Sequence, residues 1–338
     1  MTDAAERDRS GSIRTDAGAG GSAARSIARR LEELPRDRAP IPDDATFALC
    51  LTHDVDRPYK GFRSFYRALQ ERPTYHLKTA LSPSNPYWQF EEIMALEEEL
   101  GVRSAFYFLN EQHLLADRPV GDWFAAANWI EHLGRYDVAA PEMAEIVREL
   151  DAGGWEVGLH GSYHTADDRE RLREEKAVLE DALGRPIAGG RQHHLRLSVP
   201  ETWHHHRAIG LRYDSSLGSG TECGFTAGYR PLRPFGDDFR VFPVTIMEQA
   251  LPDPDARYDD ARDRCEEVLL EAAANDAVMT ALWHPRYFNE REFPGYRTLY
   301  RWLVERAQEL GAWIGSPEQL YAKLEGASET DASTPSRR

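Results

Sequence analysis

The chain contains few cysteines, few lysines and no long apolar run, and each shortage excludes a class of protein. Its three cysteines in 338 residues are too few and too widely spaced for a disulfide framework or a cysteine-only zinc site. No stretch approaches the roughly 20 apolar residues that a membrane-spanning helix needs. The polar, charged N-terminus has no apolar core of the kind found in signal peptides. These features predict a soluble, cytoplasmic protein.

Basic residues are also in deficit, with 41 Lys and Arg against 57 Asp and Glu and a net charge of −16. A surface this negative repels phosphate backbones, which argues against nucleic-acid binding through a basic face. The only lysines are Lys60, Lys78, Lys176 and Lys323. An acidic, lysine-poor surface is typical of proteins that stay soluble in concentrated salt, but a GC-rich genome would also favour arginine codons. Both explanations stay open.

Composition divides the chain into one central body and two tails. Residues 1–25 and 326–338 are rich in small and charged residues and lack a hydrophobic period, which predicts disordered tails. The body between them contains no Gly/Ser-rich linker, low-complexity block or repeat. Residues 26–325 are therefore predicted to form a single domain.

Short apolar runs alternate with amphipathic segments throughout this body. The apolar runs predict strands at 47–52, 105–109, 155–159, 241–246, 277–282 and 312–314. The amphipathic segments predict helices at 88–100, 141–150, 166–183, 200–209, 257–275 and 296–310. Alternating strands and helices indicate a parallel sheet covered by helices, and this many units in one domain favour a (β/α) barrel over an open sheet.

Residue types that bind metal ions follow three of these predicted strands. They lie in the segments Thr52–Asp56, His160–His164 and Leu282–Pro285. In α/β barrels, the loops after the carboxyl ends of the strands meet at one mouth and carry the active site. Imidazole and carboxylate ligands suit zinc and its first-row neighbours, and three protein ligands leave a coordination position for water. The two aspartates, together with His160, His164 and His284, therefore predict an open metal site.

Each motif alone has a simpler explanation. An Asp-x-Asp after a strand often caps a helix or forms a turn, and His284 could be a core histidine bonded to the backbone. Repetition of these residue types at successive strand ends is what favours a shared pocket.

The order of the motifs resembles that of the polysaccharide deacetylase (NodB-homology, carbohydrate esterase) family. The similarity rests on Leu-Thr-His-Asp-Val-Asp at 51–56, Gly-Trp-Glu-Val-Gly-Leu-His-Gly-Ser-Tyr-His at 154–164, Arg191 and Leu-Trp-His-Pro at 282–285. It covers about residues 45–325. The resemblance implies an irregular (β/α) barrel of about seven strands and one divalent metal ion, usually zinc.

The resemblance also implies the metal ligands and the general base. One aspartate, His160 and His164 would hold the metal, and a second aspartate would be the base. The common motif has adjacent aspartates, whereas Val55 separates Asp54 from Asp56 here. Residues two apart in an extended segment point to the same side, so both carboxylates can face the mouth. We assign Asp54 as the base and Asp56 as the ligand, and the reverse assignment stays open.

Two further catalytic roles follow from the resemblance. Arg191 stands where the family has an arginine that pairs with the catalytic aspartate, and such a guanidinium would keep the carboxylate ionised and oriented. His284 would protonate the departing amine, since an amide nitrogen is too basic to leave unprotonated.

Four other residues have less defined expected roles. His53 replaces an aromatic residue of the usual motif and is either an extra ligand or a hydrogen-bond donor close to the site. His193 replaces a proline-rich continuation on the substrate side of the pocket. Asp214 either orients His284 or forms a turn. Trp283 is one of several aromatic residues that could stack on sugar faces, the others being Trp88, Tyr163, Trp203 and Tyr287.

Three consecutive histidines, His204, His205 and His206, lie on a predicted helix. Because consecutive residues splay around a helix axis, these imidazoles cannot converge on one ion. They are predicted to be surface or groove residues.

The implied reaction is metal-assisted hydrolysis of an amide, foremost removal of an N-acetyl group from an amino sugar or glycan. The absence of a secretion signal favours a cytoplasmic substrate such as a nucleotide-linked or lipid-linked sugar. One alternative keeps the site but changes the substrate to a non-sugar amide, ureide or imide, because a fold does not determine the acyl group. A second alternative is a catalytically inactive glycan-binding relative. The sequence does not predict an oligomeric state.

Overall fold

The computed structural model describes residues 31–61, 85–115 and 118–333. The strands are β1 Phe47–Val55, β2 Ala105–Leu109, β3 Glu156–Gly161, β4 Gly189–Gln192, β5 Tyr213–Asp214, β6 Arg240–Val241, β7 Val244–Met247, β8 Val278–Leu282 and β9 Ala312–Gly315. The α-helices are α1 Phe90–Leu100, α2 Ala126–Gly134, α3 Pro141–Ala152, α4 Arg169–Leu183, α5 Glu201–Ala208, α6 Pro254–Ala274, α7 Tyr296–Glu309 and α8 Pro317–Ser333.

The strands form one parallel sheet in the order β6-β5-β4-β3-β2-β1-β8-β7, with β9 paired to the first half of β1. Its two outer strands, β6 and β7, are separated in the chain only by Phe242 and Pro243. The sheet must therefore curl until its edges approach each other. The predicted single-domain (β/α) barrel is confirmed. The described sheet has nine strands rather than about seven, and two of these nine, β5 and β6, are only two residues long.

Strand β1 is buried along its whole length, as expected for a parallel strand with both faces covered. Its residues alternate between two cores. Leu49 and Leu51 belong to the core under the helices, whereas Ala48 and Cys50 pack inside the barrel with residues such as Tyr107. By the same alternation, Asp54 faces the barrel interior and His53 faces the helices.

Two predictions about strands need correction. The predicted strand 241–246 is two strands, β6 and β7, at opposite edges of the sheet, since Pro243 between them has no N–H to donate to a ladder. Strand β4, Gly-Gly-Arg-Gln, was not predicted because it contains no apolar run. A Cβ at Gly190 would lie 2.1 Å from the Leu159 carbonyl oxygen, so glycine allows the close approach of β4 to β3.

The structure describes part of the predicted C-terminal tail and none of the predicted N-terminal tail. The predicted tail 1–25 lies outside the described residues, as do residues 334–338. Helix α8 continues to Ser333, into the segment predicted as a tail from residue 326. Leu320 and Tyr321 of α8 pack into the barrel-interior core and cover the amino ends of the strands. None of the described helices combines the length and apolar character that crossing a membrane requires.

Candidate active site

Acidic and imidazole side chains from separate strands meet at the carboxyl end of the barrel. Asp54 is on β1 and Asp56 follows it, His160 is near the end of β3, His193 follows β4, and His284 follows β8. Because all the strands are parallel, their carboxyl ends share one rim. The rim brings together residues that are far apart in the sequence.

Asp56, His160 and His193 form a compact group. Each offers one metal-binding atom, and these atoms lie within 4.8 Å of one another. His160 Nε2 is 3.1 Å and His193 Nε2 is 3.7 Å from Asp56 Oδ1. The other ring nitrogen of His160, Nδ1, is 3.0 Å from the backbone carbonyl oxygen of Arg191. Donation from Nδ1 to that carbonyl leaves Nε2 as the nitrogen available to a ligand.

This group fits a divalent metal ion. Asp56 Oδ1 and His160 Nε2 are buried and make no hydrogen bond among the described residues, whereas buried polar atoms in proteins are nearly always paired. A carboxylate with two imidazoles is a donor set that suits zinc and similar ions. A cation between these atoms would satisfy both of them.

The electrostatics of the three residues agree with this interpretation. Burial alone would raise the pKa of Asp56, but nearby histidines, chiefly His284 and His193, hold it well below its usual value. Burial, together with His194, lowers the pKa of His193 well below its usual value. Burial alone would lower the pKa of His160, but the adjacent aspartates raise it, so a metal would compete with a proton there.

Asp54 has a different partner from Asp56. The Arg191 side chain is buried, and its Nη1 donates to Asp54 Oδ1 at 2.7 Å and to Thr52 Oγ1 at 3.0 Å. Its Nε and Nη2 donate to the carbonyl and hydroxyl oxygens of Ser215 at 2.7 and 2.9 Å. Asp54 Oδ2 remains 3.7 Å from His160 Nε2. One aspartate is therefore bound to a guanidinium and the other is surrounded by imidazoles.

His284 is oriented by Glu248, a residue that the sequence did not suggest. His284 Nδ1 is 2.6 Å from Glu248 Oε1, and its Nε2 is 3.2 Å from Asp56 Oδ2. Burial alone would lower the pKa of His284, but Glu248 and Asp56 raise it to about 10. Glu248 directly follows β7. The strand-end pattern that indicated the other residues could have found it if β7 had been predicted with its actual end.

His164 does not join the group of metal-binding atoms. Strand β3 ends at Gly161 and the chain then turns away, so His164 Nε2 lies 3.4 Å from Arg118 Nη2. His193, expected only on the substrate side of the pocket, occupies the place in the group that the resemblance assigned to His164. Of the three expected ligands, the structure brings together Asp56 and His160.

Among the described residues, Asp214 forms no hydrogen bond or ion pair with His284. Its Oδ1 accepts from Trp203 Nε1 and from the Ser216 N–H, each at 3.0 Å, and the second bond is the local turn considered as an alternative. Its Oδ2 lies 3.1 Å from Nδ1 of His206. His206 is buried, contrary to the prediction for the three consecutive histidines, because one side of α5 faces the interior.

His53 and Trp283 point away from the group of ligands. His53 Nδ1 is 2.6 Å from the Trp283 carbonyl oxygen, and its Nε2 is 3.0 Å from Glu97 Oε1. His53 is therefore not a ligand, and its hydrogen bonds lead to β8 and α1 instead. Trp283 is fully buried in the core under the helices, which removes it from contact with a sugar. Trp203 is buried as well.

A small cavity of about 10 Å³ opens beside Asp54 and Asp56. It is lined by Asp54, Val55, Asp56, Arg57, Pro58, His284, Pro285 and Arg286. Both carboxylates and the imidazole of His284 thus face one shared space.

No family model and no curated protein sequence matches this chain. Solved structures do share its fold. A protein from Mycobacterium smegmatis, provisionally assigned as a polysaccharide deacetylase, is 17% identical with a TM-score of 0.58, covering 88% of this chain and 96% of its own. A protein from Pseudomonas aeruginosa PAO1 with the same provisional assignment is 16% identical with a TM-score of 0.54, covering 86% and 94%.

A third solved structure has a different named activity. The Puue allantoinase is 14% identical with a TM-score of 0.54, and the alignment covers 86% of this chain and 94% of its own. At these identities the likeness concerns the fold. The chain has the NodB-type (β/α) barrel of the polysaccharide deacetylases, so the resemblance seen in the sequence motifs is confirmed for the architecture.

Proposed function

We propose that this protein is a metal-dependent amide hydrolase, foremost an N-deacetylase of an amino sugar or glycan. The observation that carries the proposal is one arrangement of side chains. A group of possible metal ligands lies beside an arginine-bound carboxylate and an imidazole that face the same cavity.

The proposed ligands are Asp56, His160 and His193. A divalent ion held there would polarise the acyl carbonyl and lower the pKa of a water molecule. The choice of His193 rather than His164 rests on the distances within the group. Zinc is the first ion to test, because one carboxylate and two imidazoles are typical of its open, catalytic sites.

Asp54 and His284 are the proposed proton-transfer residues. Arg191 donates to one oxygen of Asp54 and orients the carboxylate, which would accept a proton from the attacking water. Glu248 binds His284 Nδ1, which leaves Nε2 to donate a proton to the departing amine nitrogen. The two residues line one cavity, so they could act on the same amide.

The size of the cavity bears on the substrate. Its volume of about 10 Å³ is roughly the space of one water molecule and far below the ~300–1,000 Å³ of sites that enclose a whole small molecule. It could hold the attacking water, and the substrate itself would lie outside the cavity. Nucleotide-linked and lipid-linked N-acetyl sugars are the first substrates to test, and free N-acetyl sugars and oligosaccharides provide the comparison.

A second candidate is hydrolysis of a ureide or a related non-sugar amide. The observation that favours it is the shared fold with an allantoinase. The two candidates differ in their products. Release of acetate supports the deacetylase, whereas release of ammonia or formate from non-sugar amides supports the alternative.

The test combines metal analysis with two variants. Protein purified without chelator should contain about one divalent ion per chain, and Asp54→Asn and His284→Ala should each reduce turnover by about 10²–10⁴-fold. Asp259→Asn and His204→Ala, both at exposed positions, are matched controls that should keep full activity. Unchanged turnover in both site variants would refute the assigned roles. Protein with no bound metal and no hydrolysis of any amide would favour the non-catalytic alternative.

A further inference from the structure

A buried hydrogen-bond network lies behind the proposed site, on the helix-facing side of β1. Its centre is the carboxylate of Glu97 on α1. Oε1 lies 3.0 Å from His53 Nε2 and accepts from the Tyr300 hydroxyl at 2.6 Å. Oε2 accepts from Trp155 Nε1 at 2.7 Å and from the Ser104 N–H at 3.0 Å. All five residues are buried, so the network is shielded from solvent.

His53 joins this network to the backbone that precedes His284. Its Nδ1 is 2.6 Å from the Trp283 carbonyl oxygen, which can only accept. Burial alone would raise the pKa of Glu97, but His53 and the other donors lower it, so Glu97 also acts as an accepting carboxylate. Because the Trp283 carbonyl can only accept, His53 Nδ1 is the donor of this hydrogen bond. Its Nε2 faces Glu97 Oε1 and the Tyr300 hydroxyl, 3.0 and 3.4 Å away.

The position of this contact in the sheet is informative. The pairing of β1 with β8 ends at Thr52 and Leu282, and the Trp283 N–H then donates to the Thr52 carbonyl at 2.9 Å. The His53 side chain extends the connection one step further, onto the Trp283 carbonyl. Both backbone polar groups of Trp283 are thereby tied to the strand that carries Asp54.

We propose that His53 is a positioning residue that aligns His284 with the two aspartates. This inference rests on the proposed function, in which His284 is the proton donor. His53 does not line the cavity, and its ring packs against Phe106 and Phe288 with centroids 4.8 and 5.5 Å away. It acts through the Trp283 carbonyl and holds His284 Nε2 at 3.2 Å from Asp56 Oδ2.

Two amide variants separate the two hydrogen bonds of His53. In His53→Asn the side-chain NH2 replaces Nδ1 and can still donate to Trp283, whereas in His53→Gln it replaces Nε2 and can donate only to Glu97. Because a misplacement of about 1 Å can cost about 10²-fold in rate, we expect His53→Gln to lose about 10²-fold in kcat with KM unchanged. We expect His53→Asn to stay within about threefold of wild type, since the Trp283 contact remains.

A merely structural role gives a different result. Activity would then follow the melting temperature, and His53→Asn, which leaves the buried Glu97 charge unpaired, would be the more impaired variant. Equal losses of kcat in both variants, or wild-type kcat in His53→Gln, would overturn the inference. If His53→Asn does not fold, the double variant His53→Asn/Glu97→Gln removes the unpaired charge and keeps the Trp283 contact, and the same criterion applies to it.

A structural readout separates this inference from the proposed function. Crystal structures of the variants should show the His284 Nε2 to Asp56 Oδ2 distance unchanged in His53→Asn and increased in His53→Gln. An unchanged distance in both would refute the positioning role even if the wild-type enzyme is active. A wild-type protein that hydrolyses no amide would refute the proposed function, while the two distances would still test the role of His53.

Discussion

Two carboxyl groups at opposite ends of the barrel, one on the partly buried Asp56 and one on the buried Glu156, have opposite electrostatic character. Asp56, at the carboxyl end of the strands, is held ionised by histidines, and its Oδ1 makes no hydrogen bond among the described residues. Glu156, at the amino end of β3, accepts from the Tyr213 hydroxyl and from the Glu318 N–H, the latter at 2.8 Å. Burial and the neighbouring Glu318 carboxylate raise the pKa of Glu156 to about 8.

This difference shows how burial alone fails to identify a functional acid. A neutral carboxyl group with both oxygens hydrogen-bonded is satisfied by the protein itself, so Glu156 needs no ligand. The ionised carboxylate of Asp56 has one oxygen, Oδ1, that makes no hydrogen bond among the described residues and lies beside two imidazoles. This oxygen can still bind a ligand. The mouth of the barrel therefore has the character of a binding site, and the opposite end that of a structural polar core.

The largest expected effect concerns the proposed metal ligands at the mouth. Four-ligand zinc sites bind with about 10–16 kcal/mol, or roughly 2.5–4 kcal/mol per ligand. His193→Ala should therefore weaken metal binding by about 10²–10³-fold, measured by competition with a chelator. His164→Ala, the matched control, should keep its metal because His164 lies outside the group of ligands.

The opposite result would reassign the site. If His164→Ala loses the metal and His193→Ala keeps it, the ligand set implied by the family resemblance is correct. The electrostatic contrast between the two ends of the barrel would remain. The loop after β3 would then rearrange on metal binding to bring His164 to the ion.

A smaller effect is expected at the opposite end, from the titration of Glu156. The folded protein keeps this proton up to about pH 8, whereas in the unfolded chain the group titrates near its ordinary value of 4.5. Between these values the folded state binds more protons, so stability falls as pH rises, by up to about 1.4 kcal/mol per pH unit. Glu156→Gln cannot titrate and should gain about 2 kcal/mol relative to wild type between about pH 5.5 and 7.

Chemical denaturation of both proteins at several pH values measures this difference. Glu98→Gln, at an exposed position, is the control and should follow the wild-type curve. Parallel stability curves for wild type and Glu156→Gln would show that Glu156 is ionised in the folded state. The electrostatic contrast between the two ends of the barrel would then be lost.

The smallest expected effect compares Glu248 with Asp214 as partners of His284. Glu248→Gln keeps an acceptor for His284 Nδ1 but removes the negative charge that stabilises the protonated ring. We expect kcat to fall by about tenfold, at the low end of the range for a proton-transfer residue. Asp214→Asn should leave kcat of the folded protein within about twofold, because Asp214 interacts with Trp203 and His206 instead. A larger loss in Asp214→Asn at equal folded fraction would contradict this assignment.

Much of the site was predictable because parallel strands place their carboxyl ends together. That rule, with the residue types, indicates Asp54, Asp56, His160 and His284 from the sequence alone. It missed Glu248 because the predicted strand 241–246 combined β6 and β7 and obscured the end of β7. It also missed β4, since Gly-Gly-Arg-Gln carries no hydrophobic signal and depends on close backbone contact with β3.

The amino-acid sequence by itself determines the alternation of strands and helices and the positions of polar residues at strand ends. Both features depend on the spacing of residues that are close together in the chain. The identity of the second histidine in the ligand group did not follow from this information. His164 is only four residues from His160, yet the turn after β3 directs it towards Arg118, while the neighbouring strand delivers His193. That choice depends on the paths of two loops in space, and contacts between segments distant in sequence determine those paths.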